Sequence, residues 1–318
     1  HIRSRRQRQM CIRDSMRPAA AAWEKHYSQV LEGRGFKRGE SCGVVFYHEK
    51  LDVACAVHGD DFTFCGLRED LLLVQGWLKA AFEIEVRGML GESDVEDKEA
   101  SILGRSVRWT PHGIEYEADT KHRQKLLEYF GFDKNTRVLG SNGDRVDHED
   151  DAWMSQKLEG KAATEYRGLA ARLNYMSLDC PDLQFPIKQC SREMSSPTNG
   201  SLLRLKKVVR YLVDREKIVW TYSWQDAPSH GILFTDSDWG GDRIDRKSSS
   251  GGVWLLGNHV IKTWSVTQGA VALSTAEAEF YAAVEGVTRA KGLSSLCREM
   301  GYGDLSDMCK CNVDSSAA

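Results

Sequence analysis

The apolar positions change period several times along the chain, and each change marks an element. From Glu49 to Gly66, "EKLDVACAVHGDDFTFCG" has apolar runs on both sides of a short polar interruption. That pattern predicts strand, tight turn and strand, with Gly59, Asp60 and Asp61 at the tip. Leu71, Val74, Leu78 and Phe82 then recur at the spacing of one helical face. "ILGRSVRW" and "GIEYEA" read as a second strand pair divided by "TPHG", and "TKHRQKLLEYFGF" returns to helix. Periodicity fails from about Thr136 to Gly160, where glycine and acidic residues accumulate in "GSNGDRVDHEDD", so this stretch reads as a loop or hinge.

Helical patterns resume in "TEYRGLAARLNYMSL", "CPDLQFPIKQCSREMS" and "NGSLLRLKKVVRYLVDRE". In the last, Leu205, Val208, Val209 and Leu212 form an apolar stripe flanked by Arg204, Lys206, Lys207 and Arg210. Those cations suit either the solvated face of a packed helix or contact with a phosphate backbone. Beyond "WQDAPSH", strands are expected at 231–236, 250–256 and 259–265, the last two forming a hairpin around Gly257 and Asn258. A helix from Thr275 to about Met300, capped by Ser274 or Thr275, precedes a last strand at 308–313. Strand pairs alternating with helices, followed by a mixed sheet with one packed helix, predict a mixed α+β and α/β chain. The divisions expected are a leader over 1–40, an α+β unit over 41–135, the loop over 136–160, a helical region over 161–227 and a final unit over 228–318.

Composition narrows the function classes. At 318 residues the chain is long enough for two ordinary cores, and 41% hydrophobic with 28% charged residues is the balance of a globular protein. No apolar run approaches the roughly 18 residues that span a bilayer, so no membrane partner is expected. The opening "HIRSRRQRQMCIRDSM" is basic without an apolar core behind it, which fits an exposed leader or a basic nucleic-acid-binding arm rather than a secretory signal. A net charge of only −3 leaves nucleic-acid binding to local basic patches or bridging metal ions. Nine scattered cysteines without CxxC pairs fit a reducing compartment, and Cys297, Cys309 and Cys311 read as small core residues before they read as a metal cluster.

The candidate chemistry is acidic. Ile232, Leu233 and Phe234 lead into Asp236 and Asp238 at a strand exit, "LSTAEAEFYAAVEG" places Glu277 and Glu279 at a helix start, and the final strand leads into Asp314. Carboxylates drawn together from two strand exits and a helix would repel one another unless a divalent cation offset them. Oxygen-only ligands suit magnesium or manganese, and paired hard cations suit phosphodiester hydrolysis by an activated water. Surface charge and helix capping are the alternatives that spacing leaves open.

"FTDSDWGGDRIDRKSSSGG" and "TQGAVALSTAEAEFYAAVEG" resemble the ribonuclease H domain of copia-type retrotransposon polyproteins, which carries D-A-D-W, R-R-S-T-S-G, K-Q-x-x-V-A-L-S-T-x-E-A-E-Y and C-D-N elements in this order. The likeness covers about the last 90 residues. It implies catalytic, metal-binding carboxylates at Asp236, Glu279 and Asp314, with Mg2+ or Mn2+ as cofactor and an RNA·DNA hybrid as substrate. "AVHGDDFTFCG" stands where the family's reverse transcriptase has a Y-V-D-D hairpin, and "RLNYMSLDCPDLQFPIKQCSREMSSPT" resembles its L-x-Y-L-x-x-T-R-P-D-I stretch and the residues after it. By that likeness Asp60 and Asp61 are polymerase metal ligands, and template-primer nucleic acid and the remainder of the Pol polyprotein are partners.

The implied architecture is a partial reverse-transcriptase palm with its following helices, then a ribonuclease H-like mixed sheet with a packed helix, incomplete at its C-terminal end. His58 and Gly59 replace the family's tyrosine and hydrophobic residue, and Cys180 replaces the arginine of R-P-D. The polymerase's first metal-binding aspartate is expected to precede His1, so hybrid cleavage is the activity expected of the chain and DNA synthesis is not. A catalytically inert remnant is the rival expectation.

Overall fold

The computed structural model describes residues 17–139, 152–242, 245–302 and 310–313. These fall into two compact units, one of residues 1–86 with 288–309 and the other of 87–287 with 310–318. Both mix sheet and helix, as the changes of period predict.

In the first unit, helix α1 (Arg17–Glu32) precedes strands β1 (Lys37–Arg38), β2 (Val45–His48), β3 (Val53–His58) and β4 (Asp61–Cys65), which pair antiparallel in chain order. Helix α2 (Arg68–Ala81) follows. Strand alternation puts Val53, Cys55 and Val57 into a core with Tyr27, Leu31, Phe46, Val74 and Leu78. Helix α1 lies in the stretch read as a leader. Its signal is the spacing of Trp23, Tyr27 and Leu31, which share one face and bring aromatic area to the sheet: the Trp23 ring meets Tyr27, Phe62 and Phe82 edge-on.

The second unit opens with β5 (Glu99–Ile102), β6 (Arg105–Thr110) and β7 (Gly113–Glu117). "ILGRSVRW" is thus two strands: Leu103 and Gly104, at φ 49° and 80°, turn the chain between β5 and β6. Next come α3 (Lys121–Phe130), α4 (Gly160–Met176), a short 3-10 turn at Pro181–Leu183, α5 (Gln184–Arg192) and α6 (Asn199–Tyr211). Tyr166, Leu169, Leu173, Ile187, Leu205, Val209 and Leu212 make their core. Strand β8 (Val219–Ser223) pairs with β7, so the region read as wholly helical ends by completing the β5–β8 sheet.

A buried ionic network ties that sheet to the helices. Asp179 accepts from Arg105 Nη2 at 3.1 Å and from the Tyr116 hydroxyl at 2.8 Å, while Trp220 Nε1 donates to its carbonyl at 3.0 Å.

A separate sheet carries the candidate chemistry. Strands β9 (Gly231–Asp238), β10 (Ser249–Leu256) and β11 (His259–Thr267) form an antiparallel meander with a hairpin at Gly257–Asn258. Helix α7 (Thr275–Glu299) follows, with Ser274 as its cap: Ser274 Oγ accepts from the Glu277 N–H at 3.2 Å. Strand β12 (Lys310–Val313) then joins the other edge of β9 in parallel, giving the order β11-β10-β9-β12. Helix and sheet approach closely at Gly286, where a Cβ would stand 2.3 Å from Thr235 Cγ2.

Candidate functional site

Strand alternation and helix packing decide which carboxylates meet. Leu233, Thr235 and Ser237 leave β9 on the face that α7 covers, where Leu233 and Thr235 are buried along with Trp254 from β10. On α7, Ala278, Glu279 and Ala282 turn inward, and Glu279 is only 4% exposed. Its Oε1 accepts from the Ser237 hydroxyl at 2.6 Å and from the Ser237 N–H at 3.1 Å. Its Oε2 is buried with no hydrogen-bond partner.

Gln268 stands beside this carboxylate. Its Nε2 donates to Ser250 Oγ at 3.0 Å and to the Ala278 carbonyl at 2.9 Å, which fixes the amide orientation because the carbonyl can only accept. Gln268 Oε1, like Glu279 Oε2, is therefore a buried acceptor without a donor. Ser250, which holds the Gln268 amide, pairs in register with Ser237, which holds Glu279, across β10 and β9. Buried acceptors left unpaired are unfavourable, and a donor or a cation relieves them.

Asp236 lies elsewhere. As the neighbour of Ser237 it leaves β9 from the opposite face, and it is exposed. There it lines a cleft of about 320 Å³ with Pro181, Gln184, Phe234, Gly251 and Val253. Helix α5 overlies this face: Gln184 Nε2 donates to Thr263 Oγ1 at 2.9 Å, Lys188 Nζ donates to Ser249 Oγ, and Arg192 pairs with Asp242 and Asp245 at 2.6 and 2.8 Å. Burial pushes the Lys188 ammonium down to about 8, outweighing the opposite pull of Asp238.

Asp314, the residue after Val313, lies outside the described residues. The parallel register sets Val313 beside Thr235.

Against a pair of divalent cations, these residues fit in one place and not in another. Glu279 Oε2 and Gln268 Oε1 are each a buried hard oxygen without a hydrogen-bond donor. Asp236 leaves β9 on the other side of the strand from Ser237, and among the described residues no three His, Cys, Asp or Glu side chains form a metal-binding group. Glu277 is committed to the helix start: it accepts from the Leu273 N–H and the Tyr281 hydroxyl, each at 2.7 Å, and these bonds hold its carboxyl below the usual range.

The aspartate pair of the first unit sits at a two-residue turn. His58 pairs with Asp61, leaving Gly59 and exposed Asp60 at the tip. Gly59 takes φ 64°, and its carbonyl accepts from Trp23 Nε1 at 2.8 Å.

The cations of α6 are partly engaged within the chain. Arg204 is ion-paired with Glu193, and Arg210 Nε donates to the Arg137 carbonyl at 3.2 Å. Lys206 is exposed with its Nζ 5.7 Å from the Phe132 ring centre, and Lys207 is half-buried.

Sequence reasoning missed Ser237, Gln268 and Lys188. The first two stand inside the quoted motifs, but as neutral polar residues they carried no charge signal. Lys188 sits in an i, i+4, i+8 series with Gln184 and Arg192 that only the sheet beneath α5 makes meaningful.

No protein-family model matches the chain. Over 149 residues, 43% of its length, it is 31% identical to the retrovirus-related Pol polyprotein from transposon RE1 of Arabidopsis thaliana, of which it spans 9%. Over 319 aligned positions, covering 95% of the chain, it is 29% identical to the retrovirus-related Pol polyprotein from transposon TNT 1-94 of Nicotiana tabacum, of which it spans 22%. It is also 29% identical over 188 residues, 57% of its length, to the uncharacterized mitochondrial protein AtMg00810 of Arabidopsis thaliana, covering 72% of that protein. Retrovirus-related Pol polyproteins of copia-type transposons are thus among the homologues of this chain, which corresponds to a segment of such a polyprotein.

Proposed function

We propose that the retroelement-associated role of this chain is hydrolysis of the RNA strand of RNA·DNA hybrids, carried by residues 228–318 as a ribonuclease H-type unit within a longer reverse transcriptase. The observation that carries this reading is Glu279: a carboxylate buried between α7 and β9, with one oxygen bonded by Ser237 and the other unpaired. The mixed sheet, with β12 parallel to β9 after a long helix, supports the same reading. Glu279, Asp236 and Asp314 are the proposed carboxylates. Magnesium or manganese, when bound, would supply an activated water and offset phosphate charge.

The chain's own residues perform the positioning. Ser237 holds Oε1 so that Oε2 is the free ligand oxygen, and the apolar packing of Ala278 and Ala282 excludes water around it. Hybrid selectivity would rest on groove shape and 2′-hydroxyl contacts. In the longer polyprotein, Asp60 and Asp61 at their hairpin would serve template-primer copying.

A second reading, an inert remnant that retains nucleic-acid binding, is favoured by one observation: Asp236 and Glu279 leave opposite sides of the β9 sheet. Cleavage of a labelled RNA·DNA hybrid in magnesium or manganese separates the two. The nuclease reading expects cation-dependent cleavage abolished by Glu279→Gln and by Asp236→Asn; hybrid binding without turnover in either cation overturns it and leaves the remnant.

A further inference from the structure

Glu279 is held at two points, and only one of them is its carboxylate. We infer that Gln268 is a positioning residue for Glu279: its amide fixes the peptide that carries Glu279, while Ser237 fixes the carboxylate. The inference rests on the nuclease reading only for what this placement serves.

The contacts close into a ring. Gln268 Nε2 donates to the Ala278 carbonyl at 2.9 Å, and that carbonyl lies in the same planar peptide as the Glu279 nitrogen. The same Nε2 donates to Ser250 Oγ at 3.0 Å. Ser250 stands directly across from Ser237 in the β9–β10 register, so their side chains leave one face of the sheet together. Ser237 in turn donates its hydroxyl and its N–H to Glu279 Oε1. Backbone and carboxylate of one residue are therefore tied to the same pair of strands. Gln268, Ser250, Ala278 and Glu279 are all buried, so these bonds form away from bulk water.

Packing alone does not call for an amide at this position. Gln268 Oε1 is buried without a donor, which is unfavourable, and a methionine of similar length would fill the space with no acceptor left over. Turning the amide over gives no relief, since Oε1 would then face the Ala278 carbonyl, acceptor against acceptor. Nor does the amide hold the loop ahead of α7 unaided. The Gln268 N–H donates to the Ser248 carbonyl at 2.8 Å, and Trp239 Nε1 donates to the Ala272 carbonyl at 3.0 Å. Both bonds remain when the amide is removed. What the amide adds is the bond to the start of α7, at the peptide of Glu279 itself.

Gln268→Met cuts the ring while filling the site, and the Ser237 amide reports the result from the far side, because its N–H is bonded to Glu279 Oε1. Hydrogen–deuterium exchange of the full chain, resolved by residue, should show this amide exchanging roughly tenfold faster in Gln268→Met, as for the loss of about one hydrogen bond. Glu279→Ala marks the upper limit, and the Leu233 and Trp254 amides of the same sheet should keep their native rates. Ser250→Ala breaks the ring at another member and should move the Ser237 amide in the same direction; it decides the case if circular dichroism shows the methionine variant unfolded. On an RNA·DNA hybrid, Gln268→Met should lower kcat by roughly 10- to 100-fold, the range for partners that orient a ligand, with KM unchanged. It should also raise the magnesium concentration that gives half-maximal cleavage, which a smaller folded fraction would not do. A Ser237 amide that neither ring variant moves, or that Glu279→Ala leaves at its native rate, overturns the positioning role whether or not the hybrid is cut. So does an acceleration shared equally by Leu233 and Trp254, or native kcat and magnesium dependence in Gln268→Met. A chain that cuts nothing while Gln268→Met frees the Ser237 amide alone sinks the nuclease reading and upholds the placement.

Discussion

On one side of strand β9, Leu233, Thr235 and Ser237 are covered by helix α7; on the other, Phe234 and Asp236 stand in an open cleft beneath α5. The two sides share a backbone and differ in what water can reach. A carboxylate on the covered side, Glu279, keeps a fixed position because Ser237 donates to it twice. A carboxylate on the open side, Asp236, is exposed, and no hydrogen bond or ion pair among the described residues engages it. Two acidic residues that look equivalent in a motif therefore meet different surroundings once the sheet is covered unequally.

The comparison predicts its largest effect in packing. Trp254 is fully buried on the covered side, so Trp254→Ala should lower unfolding free energy by about 3–5 kcal/mol in a denaturant titration. The neighbouring Val253→Ala, on the cleft side, should stay under about 1.5 kcal/mol. Similar losses in the two variants would break the distinction between the faces.

A smaller effect comes from the polar groups of the same strand. Ser237→Ala removes the hydroxyl bond to Glu279 but leaves the N–H bond, and a loss of roughly 1 kcal/mol is expected. Asp236→Asn should change stability by no more than about 0.5 kcal/mol, as for an exposed side chain.

The smallest effect sharpens the contrast through pH. On the cleft side, Lys188 titrates near 8 when folded against an ordinary 10.5. Between those values the unfolded chain binds more protons than the folded one, so this group makes stability rise with pH across that window. Below about 8 the penalty of burying the charge is fully present, and above the ordinary value it is gone. Lys188→Met should flatten that rise, as read from unfolding midpoints at a series of pH values; an unchanged slope would show that the ammonium is solvated rather than buried.

Much of this molecule was readable as a pattern. The hairpin at Gly59–Asp60, the β10–β11 hairpin and the start of α7 at Ser274 followed from turn chemistry, period and capping, which act within a few residues. Helix α1 and strand β8 were missed because their assignments depend on distant partners: α1 rests on the β2–β4 sheet, and β8 pairs with β7 about a hundred residues earlier. The candidate site divides in the same way. Period two already requires that Asp236 and Ser237 point apart, and the motif marks Glu279 as unusual among its apolar neighbours. Only the tertiary structure decided which face α7 covers, and so that the Ser237 hydroxyl and N–H meet Glu279 and that Gln268 is held by Ser250 and the Ala278 carbonyl with its Oε1 unpaired. Alternation fixes the relation between neighbours on one strand, whereas the choice of face is made by the packing of a helix some 40 residues away, which no local pattern encodes.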